Sequence, residues 1–261
     1  MIEYLRPDWP APAGVAALVT TRSGGISAPP FASMNLGDHV GDDPAAVAAN
    51  RKLLLESCPR LAAIGWLQQV HGIDVVAADP RHPQRADAQF TREPGLACAV
   101  MTADCLPVLF CDRQGTQVAA AHAGWRGLCA GVLEAAVATF SDPTQVMAWL
   151  GPAIGPRNFE VGAEVRQCFL DAAADIASQT VDACFAASPK PEHYFADMYA
   201  LARLRLRALG ITAVFGGGLC TVADGDRFYS YRRDGVCGRM ASLIYLANLP
   251  IANMTRGIMY G

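Results

Sequence analysis

Three segments of the sequence each close an apolar run with a side chain that can bind a metal or act as a nucleophile. His71 and His122 end two of these runs, and Cys105 follows a third. Side chains at strand ends are held rigidly, and the ends of neighbouring strands can meet in space. Two imidazoles and one thiolate suit Zn²⁺, and three protein ligands leave a fourth position open for water or substrate, as in catalytic zinc sites.

The spacing by itself leaves two interpretations of these three residues open. They lie far apart in the sequence and match no compact metal motif, so the histidines could equally be ordinary turn or pocket residues and Cys105 a buried thiol. The nine cysteines are an odd number, are scattered along the chain and include no C-x-x-C pair. This argues against a disulfide framework and a zinc ribbon, so the default role of any one cysteine is structural.

The elements that would position these residues alternate between strand-like and helix-like segments along the whole chain. Asp43-Pro44 begins a predicted helix that extends to about Cys58. Strands are predicted at 17–21, 64–70, 73–78, 96–102, 108–111, 118–121, 146–150, 211–215, 228–231 and 240–246, and further helices at 125–140, 162–174 and 197–209. No internal repeat or long polar linker interrupts this alternation. We therefore predict a single catalytic domain over 1–261, without the strict βαβ rhythm of a doubly wound sheet.

Composition and charge limit the functional class. Hydrophobic residues make up 52% of the 261 residues and charged residues 17%, which is typical of a globular chain. A formal net charge of −3 gives no reason to expect capture by nucleic acid or an anionic membrane. The N-terminus lacks the pattern of a secretory signal, and the most apolar stretch, 96–111, is too short to span a bilayer. We therefore expect a cytoplasmic protein.

Sequence blocks around the three candidate ligands resemble the signatures of one protein family. They are Gln69-Val70-His71-Gly72, Thr102-Ala103-Asp104-Cys105-Leu106-Pro107 and His122-Ala123-Gly124-Trp125-Arg126-Gly127, and blocks at 20–25, 33–37, 47–51, 151–155, 159–162 and 229–235 agree. The family was long described as multicopper polyphenol oxidases or laccases. It is now described as laccase-domain purine nucleoside phosphorylases, and one bacterial member as a peptidoglycan editing factor. The resemblance covers nearly the whole chain.

The resemblance implies a zinc site at the residues that match His71, Cys105 and His122. It also implies an α+β fold, a layered sandwich of mixed β-sheets covered by helices, similar to the cytotoxic-necrotizing-factor-like cysteine hydrolase fold. That likeness keeps a metal-free alternative open, in which Cys105 beside a histidine acts as a Cys/His nucleophile. Because a thiolate bound to zinc is a poor free nucleophile, the two roles exclude each other at any given moment.

The small number of histidines argues against a multicopper oxidase. Such an enzyme joins a blue-copper site to a trinuclear cluster built almost wholly from imidazoles, and the chain has only His39, His71, His82, His122 and His193. A single copper ion could still occupy the two-histidine, one-cysteine site as an adventitious substitute, since Cu(II) binds such ligands more tightly than Zn²⁺.

The activity that the resemblance implies is phosphorolysis of adenosine, inosine and methylthioadenosine to a free base and ribose 1-phosphate, together with deamination of adenosine. For deamination, zinc would lower the pKa of a bound water, and a nearby carboxylate would carry the proton. Asp104 is the nearest candidate catalytic carboxylate in the sequence, although it could equally cap backbone N–H groups in a turn.

Phosphorolysis also needs cations that hold phosphate beside the ribose. Arg22, Arg232 and Arg233 lie in glycine-containing loops after predicted strands, where a forked guanidinium can bind phosphate. Arg126 lies at the start of a predicted helix whose N-terminal amides favour an anion. Each arginine could equally be structural or solvated. Asn35 is a candidate contact to ribose or base.

A different enzyme class fits the same residues. The editing description implies hydrolysis of a mis-loaded cytoplasmic muramyl-peptide precursor that carries L-serine, with the arginines holding a carboxylate or diphosphate. A non-catalytic metal-binding protein is a third option, against which the open coordination position argues. The expected partners are a small nucleoside and phosphate, with no nucleic acid and no membrane, and the protein is expected to be a monomer.

Overall fold

The structure is a computed structural model, and it describes residues 2–172 and 176–247. Within these residues the strands are β1 (Tyr4–Leu5), β2 (Val15–Thr20), β3 (Ala63–Gly65), β4 (Leu67–Gln68), β5 (Val75–Ala77), β6 (Gln84–Arg85), β7 (Ala88–Thr91), β8 (Leu96–Thr102), β9 (Leu106–Asp112), β10 (Val118–Ala123), β11 (Val146–Leu150), β12 (Glu160–Gly162), β13 (Phe185–Ala187), β14 (His193–Ala196), β15 (Val214–Gly216) and β16 (Met240–Leu246). The α-helices are α1 (Pro44–Glu56), α2 (Trp125–Ala130), α3 (Val132–Val137), α4 (Ala163–Asp171), α5 (Ser178–Asp182), α6 (Met198–Ala208) and α7 (Tyr231–Asp234), and a 3₁₀ turn lies at Pro143–Gln145.

The strands form two large mixed sheets and two small ones. The first large sheet has the order β1-β2-β16-β8-β3 and is antiparallel except for the pair β3–β8. The second has the order β15-β11-β9-β10-β7-β5, with parallel pairs at both edges. The small sheets are β12-β14-β13 and β4-β6. The expected α+β class with several mixed sheets is confirmed, whereas the likeness to the cysteine hydrolase fold and the single domain over 1–261 stay predictions.

The two large sheets pack face to face, with helices on their outer faces. Successive side chains of a strand point to opposite faces of its sheet. Cys98 and Val100 of β8 therefore share an apolar cluster with Ala120 of β10 between the sheets. On the outer face of the first sheet, Ala99 packs with Leu54 of α1. The outer face of the second sheet packs against α2, α3, α4 and α6 in the largest cluster.

Several predicted elements form where the sequence placed them. The predicted strands at 96–102, 146–150 and 240–246 match β8, β11 and β16 residue for residue. The first helix starts as expected, since the Asp43 side chain accepts a hydrogen bond from the Ala45 N–H at 3.0 Å and Pro44 occupies the first turn. No helix within 2–172 or 176–247 is both long and apolar enough to cross a bilayer.

Other elements differ from the sequence prediction for identifiable reasons. The helix expected over 125–140 is divided into α2 and α3, because Gly131 adopts a left-handed φ of 108° between them. The strand expected over 228–231 is wrong. Phe228 and Tyr229 are fully buried within a loop, and Ser230 then caps helix α7 by accepting a hydrogen bond from the Arg233 N–H at 3.2 Å. Buried aromatic residues in a loop gave the apolar pattern of a strand.

Candidate metal centre

Cys105 and His122 are presented by neighbouring strands of the second large sheet. Cys105 directly precedes β9, and His122 pairs with Pro107 of β9 near the end of β10. His122 shares its face of β10 with Val118 and Ala120, which pack between the two large sheets. The His122 side chain therefore lies at the end of this inter-sheet layer, where the residue is only 3% exposed.

The loop that carries His71 is fixed to the same region by the side chain of Gln69. This amide donates to the Met101 carbonyl oxygen at 2.8 Å and accepts from the Met101 N–H at 2.7 Å. Met101 lies at the end of β8, directly before the turn that contains Cys105. His71 itself has a left-handed backbone conformation with φ of 61°, which is uncommon for a residue with a side chain.

The structure brings His71, Cys105 and His122 together. One candidate ligand atom from each lies within 4.8 Å of the other two, and Cys105 Sγ is 3.9 Å from His71 Nε2. The two imidazole rings are 4.8 Å apart at their centroids and meet edge to face at 78°. A tetrahedral zinc ion with ordinary bond lengths separates its nitrogen and sulfur ligands by about 3.5 Å, so small shifts suffice. The donor set therefore fits a metal ion.

Gly124 makes room for this cluster at the start of α2. A Cβ atom at this position would lie 2.8 Å from His71 Cδ2 and 3.2 Å from Cys105 Sγ. The first distance is well inside van der Waals contact, so any larger side chain would displace the ring. The glycine after His122 and Ala123 thus permits the imidazole and the thiol to approach the backbone.

A buried carboxylate that the sequence analysis missed, Asp87, joins the two histidines. Its Oδ1 lies 2.8 Å from His122 Nδ1 and accepts from the His71 N–H at 2.9 Å. Its Oδ2 accepts from the N–H groups of Val70 and Gly72 at 3.1 Å and 2.7 Å. The only sequence signal for this role is an aspartate directly before a segment that reads as buried.

The charges of these groups shift their pKa values strongly. Burial by itself raises the pKa of the Cys105 thiol. The charges and hydrogen bonds of His122 and His71 outweigh burial and bring this pKa down to about 6. Burial lowers the pKa of His122, yet the Cys105 thiolate and Asp87 raise it to about 9. Burial also raises the pKa of Asp87, but hydrogen bonds from His122 and the Gly72 N–H bring it below its ordinary value. Without metal, the centre holds a thiolate beside an imidazolium near neutral pH.

The cluster lies in a cavity of about 400 Å³. Its lining comprises His39, Gln69, His71, Met101, Thr102, Ala103, Asp104, Cys105, His122, Ile154, Phe159, Tyr231, Arg232 and Arg239. Tyr231 is 62% exposed and lies next in the chain to Arg232. The guanidinium group of Arg239 is 5.9 Å from the centroid of the Tyr231 ring. The cavity therefore combines a cluster that could hold a metal ion, an accessible aromatic ring and two guanidinium groups.

Neither cavity arginine forms an ion pair with a carboxylate in the part of the chain that the structure describes. The Arg232 guanidinium donates to the Glu160 carbonyl oxygen at 3.2 Å. The Arg239 guanidinium donates to the carbonyl oxygens of Cys237 and Gly238 at 2.9 Å and 3.0 Å. Both positive charges thus stay available to an anion. Arg232 was a candidate from the sequence, whereas Arg239 was missed because no local pattern marks it.

Asp104 lines the cavity but directs its carboxylate into hydrogen bonds within the protein. Oδ1 accepts from the Thr221 hydroxyl at 2.6 Å, and Oδ2 accepts from the Arg232 N–H at 2.7 Å. Its carbonyl oxygen accepts from the Ile154 N–H at 2.8 Å, and its φ is 96°. Asp104 therefore ties the turn that carries Cys105 to the loop that carries Arg232, and its role as a proton shuttle stays a prediction.

Two further candidates from the sequence lie away from the cavity lining. Arg126 is exposed and stacks on Trp125 at 4.4 Å from the ring centroid. The Arg233 guanidinium pairs with Asp234 and donates to the Thr221 carbonyl oxygen at 2.7 Å. These contacts describe structural or surface positions, and a phosphate-binding role for either residue stays a prediction.

The remaining two candidates, Arg22 and Asn35, also lie outside the lining. Arg22 donates to the Gly225 carbonyl oxygen at 3.0 Å, stacks over Tyr229 and borders a separate pocket. Asn35 is completely buried, and its Oδ1 accepts from the Arg239 N–H at 2.9 Å. Asn35 therefore supports the backbone of a cavity arginine from behind.

Comparison with known proteins identifies the family of this chain. A family model described as multi-copper polyphenol oxidoreductase laccase matches residues 16–247. A Pseudomonas aeruginosa protein named purine nucleoside phosphorylase is 58% identical over 247 residues, which cover 94% of this chain and 99% of the relative. Purine nucleoside phosphorylase YfiH of Escherichia coli K12 is 52% identical over 249 residues, which cover 94% of this chain and 100% of the relative.

Solved structures agree with the sequence relatives. The crystal structure of a Neisseria meningitidis protein has a TM-score of 0.88 at 48% identity and covers 94% of this chain and 99% of its own. The crystal structure of YlmD from Geobacillus stearothermophilus has a TM-score of 0.85 at 31% identity, with 94% and 96% covered. Together with the matched family model and the His/Cys/His cluster, these similarities show that the chain belongs to the laccase-domain family that includes YfiH.

Proposed function

We propose that this chain is a zinc-dependent purine nucleoside phosphorylase that also deaminates adenosine. Its substrates would be adenosine, inosine and methylthioadenosine. The observation that carries the proposal is that one cavity of about 400 Å³ holds both the His71, Cys105 and His122 cluster and the two arginines that lack carboxylate partners in the described chain. This volume is typical of small-molecule sites. The names of the relatives support the substrate class.

Zinc is proposed because the resemblance of the sequence blocks around the three ligands implies it and because the donor set can bind it. Imidazole and thiolate groups are zinc ligands, and three of them leave a fourth position open, as in catalytic zinc sites. Five histidines in the whole chain are too few for the copper centres of a multicopper oxidase. Zinc bound here would supply an electrophilic centre with an open coordination position. His71, Cys105 and His122 would hold it, and Asp87 would orient His122 through its Nδ1.

The remaining cavity residues would bind the two substrates. The accessible ring of Tyr231 offers a face on which a purine can stack. Arg232 and Arg239 can hold phosphate with two forks of N–H donors, and no described carboxylate competes for them. In phosphorolysis a phosphate oxygen bonds to C1′ of the ribose while the bond from C1′ to the base nitrogen breaks. The electron pair leaves with the base, which takes up a proton.

The proposed deamination needs a group that moves protons, and Asp104 is the carboxylate that lines the described cavity. Its two oxygens are already used by Thr221 and Arg232, so Asp104→Ala is expected to impair both activities by releasing the turn before Cys105. Selective loss of deamination with normal phosphorolysis would instead support a proton-shuttle role for Asp104.

The experiment that tests the proposal measures hypoxanthine release from inosine, with and without phosphate, on protein whose zinc content is known from elemental analysis. We expect release that requires phosphate and is abolished by Cys105→Ala. Cys168→Ala, at a partly buried thiol in α4, is the matched control and should keep full activity. Zinc-loaded protein that releases no hypoxanthine from inosine in the presence of phosphate would contradict the proposal.

The editing hypothesis rests on the same cavity, since two guanidinium groups with no carboxylate partner among the described residues suit a carboxylate or diphosphate as well as phosphate. Release of L-serine from a serine-loaded muramyl-peptide precursor, without phosphorolysis of inosine, would replace our proposal. We further propose that the protein acts in the cytoplasm as a monomer, with a small nucleoside and phosphate as its partners. A solution mass of two chains would contradict the monomer.

A further inference from the structure

We propose that Asp87 is the positioning residue that sets both histidines of the candidate metal centre. The inference rests on the metal centre of the proposed function and adds to it a residue that is not itself a ligand. One carboxylate receives four hydrogen bonds, three from consecutive backbone N–H groups of the His71 loop and one from the His122 ring. Two of the three ligands therefore depend on a single buried side chain.

The contact with His122 fixes which ring nitrogen faces the metal centre. Asp87 Oδ1 lies 2.8 Å from Nδ1, and both side chains are almost fully buried. An ionised carboxylate can only accept, so Nδ1 carries the hydrogen and the lone pair of Nε2 is directed away from Asp87. The Asp87 carbonyl oxygen also accepts the His122 N–H at 2.7 Å. The residue thus holds His122 by its backbone and by its ring.

The contact with the His71 loop fixes the second ligand through its backbone. The N–H groups of Val70, His71 and Gly72 all point to the same carboxylate, at 2.7–3.1 Å. Three consecutive N–H groups form a concave anion site, and this one includes the left-handed His71 with φ of 61°. Such a conformation costs about 1–3 kcal/mol and persists only where its surroundings hold it. Here the carboxylate of Asp87 is the group that holds it.

Asparagine cannot replace Asp87 in this arrangement. Four N–H donors point at two oxygen atoms. An amide offers one oxygen and one NH₂ group, so at least two donors would face another donor whichever way the amide is turned. If the NH₂ group faced His122, it would donate to Nδ1 and move the ring hydrogen to Nε2, where it blocks metal binding. Asp87→Asn therefore disturbs the centre without changing the size of the side chain.

The test measures Zn²⁺ affinity by chelator competition on the full-length chain. We expect Asp87→Asn to weaken Zn²⁺ binding by about 10- to 100-fold, as for other residues that orient a histidine ligand. Asp142→Asn is the matched control, because Asp142 caps the 3₁₀ turn at Pro143–Gln145 and asparagine caps equally well. Asp87→Asn that folds and binds Zn²⁺ as tightly as the unaltered protein would overturn the proposal.

A second measurement does not depend on the variant folding. Nitrogen-15 NMR of the zinc-loaded, unaltered protein reports which His122 nitrogen carries hydrogen. We expect a solvent-protected Nδ1–H and a metal-bound Nε2. A hydrogen on Nε2 with metal on Nδ1, or a protein that takes up no Zn²⁺, would overturn the proposal. Neither measurement uses nucleoside turnover, so absence of phosphorolysis would contradict the proposed function and leave the role of Asp87 standing.

Discussion

Replacing Gly124 by alanine should weaken the metal centre by steric contact alone. The new Cβ would lie 2.8 Å from His71 Cδ2 and 3.2 Å from Cys105 Sγ, so the methyl group would press against two candidate ligands at once. The His71 ring cannot move freely away from it, because the backbone N–H groups of residues 70–72 are bound to Asp87. The strain therefore falls on the geometry of the ligands.

The expected size of the effect follows from these contacts. Forcing an extra methyl group into a well-packed site costs about 1–3 kcal/mol. If ligand displacement bears this energy only when the metal is bound, Zn²⁺ affinity falls by roughly 5- to 150-fold. Gly124 also precedes α2 as its N-cap, with φ of −62° and ψ of 157°, which alanine can adopt. Alanine is a weaker N-cap than glycine, but this lowers the free energy of unfolding equally with and without metal, so it does not change the Zn²⁺ affinity.

The assay compares chelator-competition affinities for Zn²⁺ and thermal unfolding of the metal-free proteins. Gly14→Ala is the matched control, because a Cβ at Gly14 meets no atom of the described residues within 4 Å. It should leave Zn²⁺ affinity unchanged. If Gly124→Ala binds Zn²⁺ as tightly as the Gly14→Ala control, the three side chains do not form a packed metal centre and our reasoning fails.

Three further predictions concern the same cavity. Zn²⁺ affinity should rise about tenfold per pH unit from pH 6.5 to 8.5. His122, with a pKa of about 9, must lose a proton when the metal binds, whereas Cys105, with a pKa of about 6, is already ionised. Isothermal titration that shows no proton release on Zn²⁺ binding would contradict this. Arg239→Gln should raise the KM for phosphate about 10- to 150-fold, since a hydrogen bond to a charged group contributes about 1.5–3 kcal/mol. The control Arg92→Gln, on the surface, should leave the KM for phosphate unchanged. Asp104→Ala should lower the free energy of unfolding by about 1–3 kcal/mol, and Asp104→Asn by less, because asparagine tolerates a φ of 96° and keeps one acceptor. Equal losses for the two variants in denaturant unfolding would argue against the role of Asp104 in tying the two loops together.

The fold could be predicted from the sequence where local pattern and burial agree. Buried strands such as β8 and β16 are continuous apolar runs, and their bounds were predicted to the residue. The prediction failed where tertiary packing overrides the pattern. Phe228 and Tyr229 are fully buried although they belong to a loop and not to a strand. The left-handed conformation of Gly131 divides a segment that is apolar enough for one helix. Short strands such as β13, with three residues, carry too little pattern to be recognised.

The site could be predicted only as far as its ligands have recognisable side chains. His71, Cys105 and His122 became candidates because they end or follow apolar runs, and the resemblance of the blocks around them to one family implied the zinc site. Asp87 and Arg239 were missed because an aspartate before a strand and an arginine in a loop are common in any chain. Their roles depend on which residues lie opposite them in space, and this follows from the pairing of strands that are distant in the sequence.

One structural device occurs twice around the candidate centre and explains how loops can hold ligands rigidly. His71 and Asp104 both have left-handed backbones, and each is a candidate ligand or lies beside one. In both places a carboxylate compensates: Asp87 binds the N–H groups around His71, and Asp104 itself binds Thr221 and the Arg232 N–H. Each aspartate also ties its ligand loop to a second element of the cavity. The strained turns are therefore held in place by buried or partly buried carboxylates, and removing either one should disturb a ligand and a neighbouring binding element together.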